Sequence, residues 1–406
     1  MMSSTQTQEN DQNGQHQETT VELRDLAEVQ EQKPRHRFAH PKGGMNLYDE
    51  GNIIPAAFKD YMGKIANKII KAQLTDLLKI SSPSFIHSPI TYVQGAANDV
   101  LLCQRFLTPA AATDNPFERL KLIICMYVGG SHINPSFAQC RAPLNPILGE
   151  TVQRVLPDGT KFYGEQTSHH PPITNFMLEG PNNLYRFSGY FEYKAWLSGL
   201  SSIGGSRIGK QIISFKDGGL ISIKDPQIEI SGLTIGDRVH NIQGSMIITD
   251  HINKLEATVT YNPPKQEGGG VLKGLKNKLF KSKDRELSDH LSIQICQKAQ
   301  NSSKKVKEKV VVFEGSGSWL EYIEFDGKVY WTVNDEIPNW LLPDCDSVPC
   351  NLKEVLLPSD SGNRADIKNM LEKNFDIAER HKNEYEELQR KDKQLRTQAL
   401  KLRNKK

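Results

Sequence analysis

Between Thr151 and Val333 the apolar residues recur at every second position, and this period restricts the fold more than any other feature of the chain. In Leu184–Leu197, Tyr185, Phe187, Phe191, Tyr193, Ala195 and Leu197 fall on one face, with Arg186, Ser188, Glu192 and Lys194 opposite. A period of two marks a strand with one buried face. Leu255, Ala257, Val259 and Tyr261 alternate likewise, as do Leu291, Ile293 and Ile295. Asp158-Gly159, Asp217-Gly218 and Asp326-Gly327 supply turn signals between the runs. Many short antiparallel strands over about 180 residues predict a meander that curls into a large, near-complete barrel, able to enclose a ligand. Strand–helix alternation of the parallel kind is absent, which disfavours Rossmann and TIM architectures. No repeat of the length a propeller needs is visible.

Helical patterns flank the barrel, giving a mainly β, α+β class. Phe58, Met62, Ile65 and Ile69 are spaced four, three and four apart, with lysines between them. That amphipathic helix suits a core face, a membrane surface or a flap over a cavity. Pro83 and Pro89 then mark an extended stretch. The spacing predicts one helix over Ala96–Phe106 and another starting at Pro116, with Leu120, Ile123, Ile124 and Tyr127 as its apolar stripe. Ala365 to about Arg403 reads as charged helix, anchored by Ile367, Met370, Leu371 and Phe375. Residues 1–44 are polar and poor in aromatics, which predicts disorder. One folded unit is therefore expected over 45–392: a lid over 45–94, a helical region over 95–130, the barrel over 150–333 and C-terminal helices over 360–392. A basic tail, 393–406, follows.

Composition sets the surroundings. The chain has no apolar run long enough to span a bilayer, and its N-terminus lacks the apolar core of a secretory leader. Six cysteines without CxxC spacing indicate free thiols and a reducing compartment, pointing to the cytosol. The net charge of +3 conceals an asymmetry, since residues 391–406 hold seven Lys/Arg and one Asp. A second basic cluster runs from Lys273 to Lys283. Basic segments suit anionic membranes or nucleic acid, and a solvated tail accounts for the C-terminal one equally well.

The chemistry concentrates in Glu165-Gln166-Thr167-Ser168-His169-His170-Pro171-Pro172. The prolines hold the histidines in a stiff, non-helical segment, and each imidazole offers donors whose number rises on protonation. Residue type leaves open a polar surface loop, metal ligation, acid/base catalysis and an anion cradle. Neither CxxC nor HxxxH spacing occurs, which argues against metal. The GxSxG elbow is absent, and immediate neighbours rarely align as nucleophile, base and orienter. An anion cradle needs converging donors, and Lys382, Glu386 and Arg390 share one helix face at i, i+4 and i+8. An ordinary ladder of ion pairs explains that spacing as well.

The eight-residue run resembles the fingerprint of the oxysterol-binding protein family of lipid-transfer proteins. Three further segments follow the family order: Pro143-Leu144-Asn145-Pro146-Ile147-Leu148-Gly149-Glu150, Lys382–Arg390, and Ser82-Pro83-Ser84-Phe85-Ile86 to Pro89. The similarity covers about residues 50–392 and is specific, because four motifs recur in order.

The resemblance implies a barrel enclosing a hydrophobic tunnel, a lid around Phe58, Met62, Ile65 and Ile69, and a phosphatidylinositol 4-phosphate site at the mouth. His169 and His170 would hold the 4-phosphate, with Asn145 and the backbone near Leu144 on the inositol phosphates. Lys382 and Arg390 would add cations, and Glu386 would orient them or bond the inositol. Ala142 stands where the family carries lysine, so Arg141 becomes the candidate replacement. A sterol is the first expectation for the second cargo, exchanged between membranes by a cytosolic monomer that associates peripherally with intracellular membranes. The chain resembles a short, single-domain member without covalent chemistry, cofactor, metal or nucleic-acid partner. A lipid sensor or scaffold without transfer is the alternative, and a lipid esterase a further one. Residues 263–283 look like an insertion whose Leu272, Leu275, Leu279 and Phe280 interleave with five lysines. That pattern suits an anionic membrane interface or a solvated loop.

Overall fold

In the computed structural model, the described residues are 21–48, 83–138, 141–156, 158–198, 201–233, 236–263, 287–298, 309–335 and 357–404. The lid positions Phe58, Met62, Ile65 and Ile69 and the segment bearing Leu272, Leu275, Leu279 and Phe280 lie outside them.

The chain begins with strand β1 (Arg24–Asp25), helix α1 (Leu26–Gln32) and strand β2 (Met45–Asn46). After the described gap come β3 (His87–Thr91), α2 (Tyr92–Asn98), α3 (Cys103–Ala112), α4 (Pro116–Gly130), α5 (Ile133–Ala138) and β4 (Ala142–Leu144). The first half of the barrel is β5 (Thr151–Val155), β6 (Lys161–His169), β7 (Pro172–Glu179), β8 (Tyr185–Leu197), β9 (Ile203–Ile208), β10 (Gln211–Phe215) and β11 (Leu220–Lys224). The second half is β12 (Gln227–Ser231), β13 (Val239–Asp250), β14 (Leu255–Tyr261), β15 (His290–Lys298), β16 (Lys309–Ser318), β17 (Tyr322–Phe325) and β18 (Lys328–Thr332). Helices α6 (Ala365–Leu371) and α7 (Phe375–Arg403) complete the fold.

Sixteen of these strands form one antiparallel sheet, with β5 at one end and β1 at the other. Each strand mostly pairs with its sequence neighbour, as the short turns require. The inner face of β8 buries Tyr185, Phe187 and Phe191, as its alternation predicts. Among the described residues the two ends do not pair with each other. The β5 edge is instead covered by the segment before α6: the Thr151 N–H donates to Ser359 O at 2.9 Å, and the Gln153 N–H to Asp360 Oδ2 at 3.1 Å. Such cover satisfies backbone groups that an open edge would leave unpaired.

Helix α4 starts as expected at Pro116, with the Asn115 side chain capping the N–H groups of Phe117 and Glu118 at 3.0 and 3.2 Å. Leu120, Leu122, Ile123, Ile124, Met126 and Val128 are all buried, so the helix is apolar around most of its circumference and lies in the core. The single helix expected over Ala96–Phe106 is instead two, α2 and α3. Val100, Leu101 and Leu102 are consecutive and all buried. Between the helices the Val100 N–H donates to Ala97 O at 3.3 Å and the Leu101 N–H to Asn98 O at 3.4 Å, the i→i+3 pattern of a tight turn, so the α-helical ladder is interrupted there.

The expected disorder of residues 1–44 fails over the described part. β1 pairs with β18, Arg24 opposite Val329, and β2 pairs with β13. Val29 is buried, and Arg35 bridges Asp289 and Glu321. Few apolar residues suffice here because the segment covers the β18 edge and meets charges more than 250 positions away in sequence. The basic tail likewise continues α7 to Arg403 instead of starting a separate segment at 393.

Burial pushes the His132 imidazole down to about 3 and that of His240 down to about 4, and both are neutral in the fold. In the unfolded chain they titrate near about 6.5, so below that pH the unfolded state binds more protons. Stability should therefore fall as pH drops from about 6.5 toward about 4. Urea unfolding at neutral and mildly acidic pH measures it, and an unchanged midpoint would contradict neutral burial of these rings.

Candidate functional site

The Ser-His-His-Pro-Pro run ends β6 and begins β7. The inner face of β6 carries Phe162, Gly164 and Gln166, all buried. Strict alternation would place Ser168 inward next. The ladder to β7 instead shifts register between Gln166 and Ser168, so His169 pairs with Pro172 and joins the inner face. A β-bulge inserts one residue and re-aims those beyond it, and here it turns an imidazole toward the interior. Gln166 steadies the bulge, accepting from Thr174 Oγ1 and donating to Ser168 O, both at 2.7 Å.

His169 and His170 lie with ring centroids 4.5 Å apart and planes inclined at 56°. His170 is exposed, while His169 is partly buried and its Nδ1 has no hydrogen-bond partner among the described residues. Desolvation, then the positive charges of His170 and Lys393, push the His169 imidazole down to about 4, against the opposing pull of Glu386. The ring is therefore neutral near pH 7, beside the charged face of α7. Tyr92, Asn145, Pro146, Gln166, His169, Pro172 and Tyr193 line one narrow cleft.

Of the three α7 residues only Lys382 is buried, and Glu386 is partly so. Lys382 is 5% exposed, and its Nζ donates to Glu386 Oε1 at 2.6 Å. Arg390 donates to Glu386 Oε2 at 2.9 Å, but its side chain is 63% exposed. An exposed pair of that kind contributes little stability. Burial, with Lys382 adding to it, pushes the His87 imidazole below its usual range. His87 Nδ1 lies 3.1 Å from Ala142 O and 3.2 Å from Pro143 O. It thus joins β3 to β4, the parallel pair that carries Ala142–Leu144.

Leu144 is buried with Ile367, Met370 and Ala378 in a satellite core. Asn145 follows with its side chain exposed and its carbonyl accepting from Arg364 at 3.0 Å. Arg141 is half-buried just before β4, and no hydrogen bond or ion pair joins its side chain to the histidines among the described residues. The structure thus brings His169, Lys382, Glu386, Asn145 and the Leu144 backbone around one region, with His170 and Arg390 on its exposed rim.

Sequence reasoning missed the groups that hold this region in place. Arg364, 5% exposed, donates to Glu150 Oε2 at 3.0 Å and to both Asp366 oxygens. Glu150 also accepts from Ser361 Oγ at 2.6 Å and from the Ile147 N–H at 2.9 Å. Gln389 of α7 accepts from the Leu148 N–H at 3.0 Å. A charged cluster deeper inside was missed as well. Arg207 is bonded to Asp99, lies 3.1 Å from Asp225 and covers the Phe191 ring at 4.6 Å. Polar alternation alone could not find it, because Arg207 sits on a short strand with weak patterning.

The model of the family described as "Oxysterol-binding protein" matches residues 66–405. Oxysterol-binding protein 9 of Dictyostelium discoideum is 29% identical over 373 residues, 90% of this chain and 82% of that protein. Among solved structures, the Osh3 ORD of Saccharomyces cerevisiae in complex with PI(4)P aligns with a TM-score of 0.64 at 20% identity, covering 90% of this chain and 89% of that one. The Osh1 ORD domain in complex with ergosterol aligns at 0.62 and 21% identity, covering 80% and 77%. At these identities the structural likeness is one of fold.

Arg364→Ala should leave Glu150 and Asp366 buried without their cation. Losing one partner of a buried ion network costs about 3–5 kcal/mol. Chemical denaturation of the variant measures it, and a cost below about 1 kcal/mol, the level of an exposed pair, would show that the network is not a keystone.

Proposed function

This chain belongs to the oxysterol-binding protein family, and we propose that it is a carrier which exchanges a sterol for phosphatidylinositol 4-phosphate between membranes. His169 carries the proposal: an inward imidazole, neutral, whose Nδ1 has no partner among the described residues, within reach of the charge of Glu386, which pairs with the buried Lys382. An unsatisfied buried donor or acceptor costs free energy until a ligand meets it. A phosphomonoester supplies three acceptor oxygens and nearly two negative charges. In this reading His169 and His170 bond the 4-phosphate, Asn145 and the Leu144 backbone contact the inositol phosphates, and Lys382 contributes its charge. Glu386 orients Lys382 and Arg390 from between them. Arg141 stands near enough in sequence to replace the family lysine at Ala142.

The sterol assignment draws on the fold shared with the ergosterol complex and on the apolar wall of Phe176, Phe187 and Phe191. Arg207 and the tyrosines 127 and 193 give the polar end of such a cargo something to bond. No helix among the described residues is long and apolar enough to cross a membrane. The proposed setting is the cytosol, with peripheral association to intracellular membranes, and the reading includes no covalent step.

Purified His169→Ala/His170→Ala protein should lose phosphatidylinositol 4-phosphate extraction from liposomes while keeping its circular dichroism. Extraction at the wild-type level by a folded double variant would sink the headgroup assignment. Recovered lipid should be chemically unchanged and moved between liposomes. Hydrolysed lipid would favour the esterase, and binding without movement the sensor.

A dianion beside His169 opposes the desolvation that keeps the ring neutral, so binding near neutral pH should take up protons. Affinity should then rise as pH falls from about 7, until the phosphate itself begins to protonate near about 6. Calorimetry of a short-chain phosphatidylinositol 4-phosphate in buffers of different ionisation enthalpy measures the uptake, and His169→Gln should reduce it.

A further inference from the structure

Helix α7 outlasts the domain it packs on. Its buried residues are Ala378 and Lys382, and every residue from Lys393 to Asn404 is exposed. A helix end without tertiary cover is ordinarily polar all round, because helical stability in proteins comes mostly from a packed face. Here Leu388, Leu395 and Leu402 are 58%, 64% and 67% exposed. They are spaced seven residues apart, and such positions drift by only about 20° per step on an ideal helix. The three therefore make one apolar stripe, with Ala399 within it. Ion pairs run along both of its flanks, Glu387–Lys391 at 2.9 Å and Asp392–Arg396 at 2.7 Å.

Charge identifies what covers the stripe. From Lys391 to Arg403 the helix carries Lys391, Lys393, Arg396, Lys401 and Arg403 against the single Asp392. A second copy of the same stretch would bring like charges together, whereas an anionic lipid surface complements them. Leucines framed by basic residues are the pattern of a helix lying in a membrane interface, the long cationic side chains reaching to the headgroups. The location agrees, since Lys393 is close enough to act on the His169 ring.

We propose that the exposed half of α7, residues 388–403, is a docking helix for anionic membranes, seated through Leu388, Leu395 and Leu402 and held by its flanking cations. The inference deepens the carrier reading by naming the surface that meets the bilayer. Of the headgroup residues only Arg390 lies in this stretch, and the test leaves it unchanged, so the two stand or fall separately.

The test floats the full chain with phosphatidylcholine vesicles, with and without phosphatidylserine, and with no phosphoinositide present. The wild type should bind the phosphatidylserine vesicles and lose binding in high salt. Leu395→Ser/Leu402→Ser and Lys401→Glu/Arg403→Glu should each reduce the bound fraction about tenfold. Both variants should bind soluble short-chain phosphatidylinositol 4-phosphate like the wild type, which confirms that the fold and mouth are intact. The proposal is overturned if the wild type ignores phosphatidylserine, or if either variant floats as well as the wild type. It is overturned too if light scattering shows the leucine variant converting a dimer to a monomer with vesicle binding unchanged, for then the stripe pairs two copies. Loss of short-chain ligand binding by the wild type would count against the headgroup site alone.

Discussion

The arrangement around the mouth depends on one buried cation. Arg364 joins the start of α6 at Asp366 to a loop more than two hundred positions away in sequence, donating to the Asn145 carbonyl and to Glu150, which also accepts from Ser361. Its guanidinium also faces the Tyr385 ring of α7 at 5.1 Å. Taking such a group out of water is costly, and only multiple well-directed bonds offset the cost. Two carboxylates and a carbonyl supply them. Everything at the mouth is referred to this point: the Leu144–Asn145 backbone on one side and the face of α7 bearing Lys382 and Glu386 on the other.

From that frame the site is completed by a local irregularity in the sheet. A regular β6 would have sent His169 outward, where it would be a solvated imidazole of ordinary acidity. One extra residue near Thr167 sends it inward, and desolvation then holds it neutral beside a cationic helix. Backbone geometry and proton affinity are thus linked here: the bulge decides which face the ring is on, and the face decides its charge.

Sheet content and the site motifs were legible because both are local. The alternation of Leu184–Leu197 specifies a half-buried strand without reference to any partner, and the histidine run has few competing explanations once companion motifs follow in order. What the sequence withheld was pairing over distance. The N-terminal segment looked disordered because Val29 is nearly its sole buried apolar side chain, while its stability comes from covering β18 and from Arg35 reaching Asp289 and Glu321. The split of the expected Ala96–Phe106 helix was hidden for a related reason. Val100, Leu101 and Leu102 extend a helical pattern in composition, yet the backbone there closes i→i+3 bonds and breaks the ladder. Arg364 gave no signal either, since a lone arginine after Ser-Gly-Asn reads as solvent-facing until Glu150 is known to lie beside it.

Under the carrier reading, the electrostatics around His169 and Lys382 suit a protein that would hold either of two lipids. A permanent cluster of uncompensated cations would grip a phosphoinositide tightly, but it would leave buried charge exposed to an uncharged cargo. Here Lys382 is matched by Glu386, and His169 carries no charge. A sterol bound beside this region, as proposed, would therefore meet little net charge to desolvate. In the proposed carrier, a phosphoinositide would favour protonation of the imidazole and draw Lys382 toward phosphate, creating the cationic site on binding. Histidine allows this where lysine would not, because the unperturbed affinity of its ring for a proton lies within reach of physiological pH. On that reading the two states would differ by a proton and a redirected ammonium group, a change small enough for exchange in either direction.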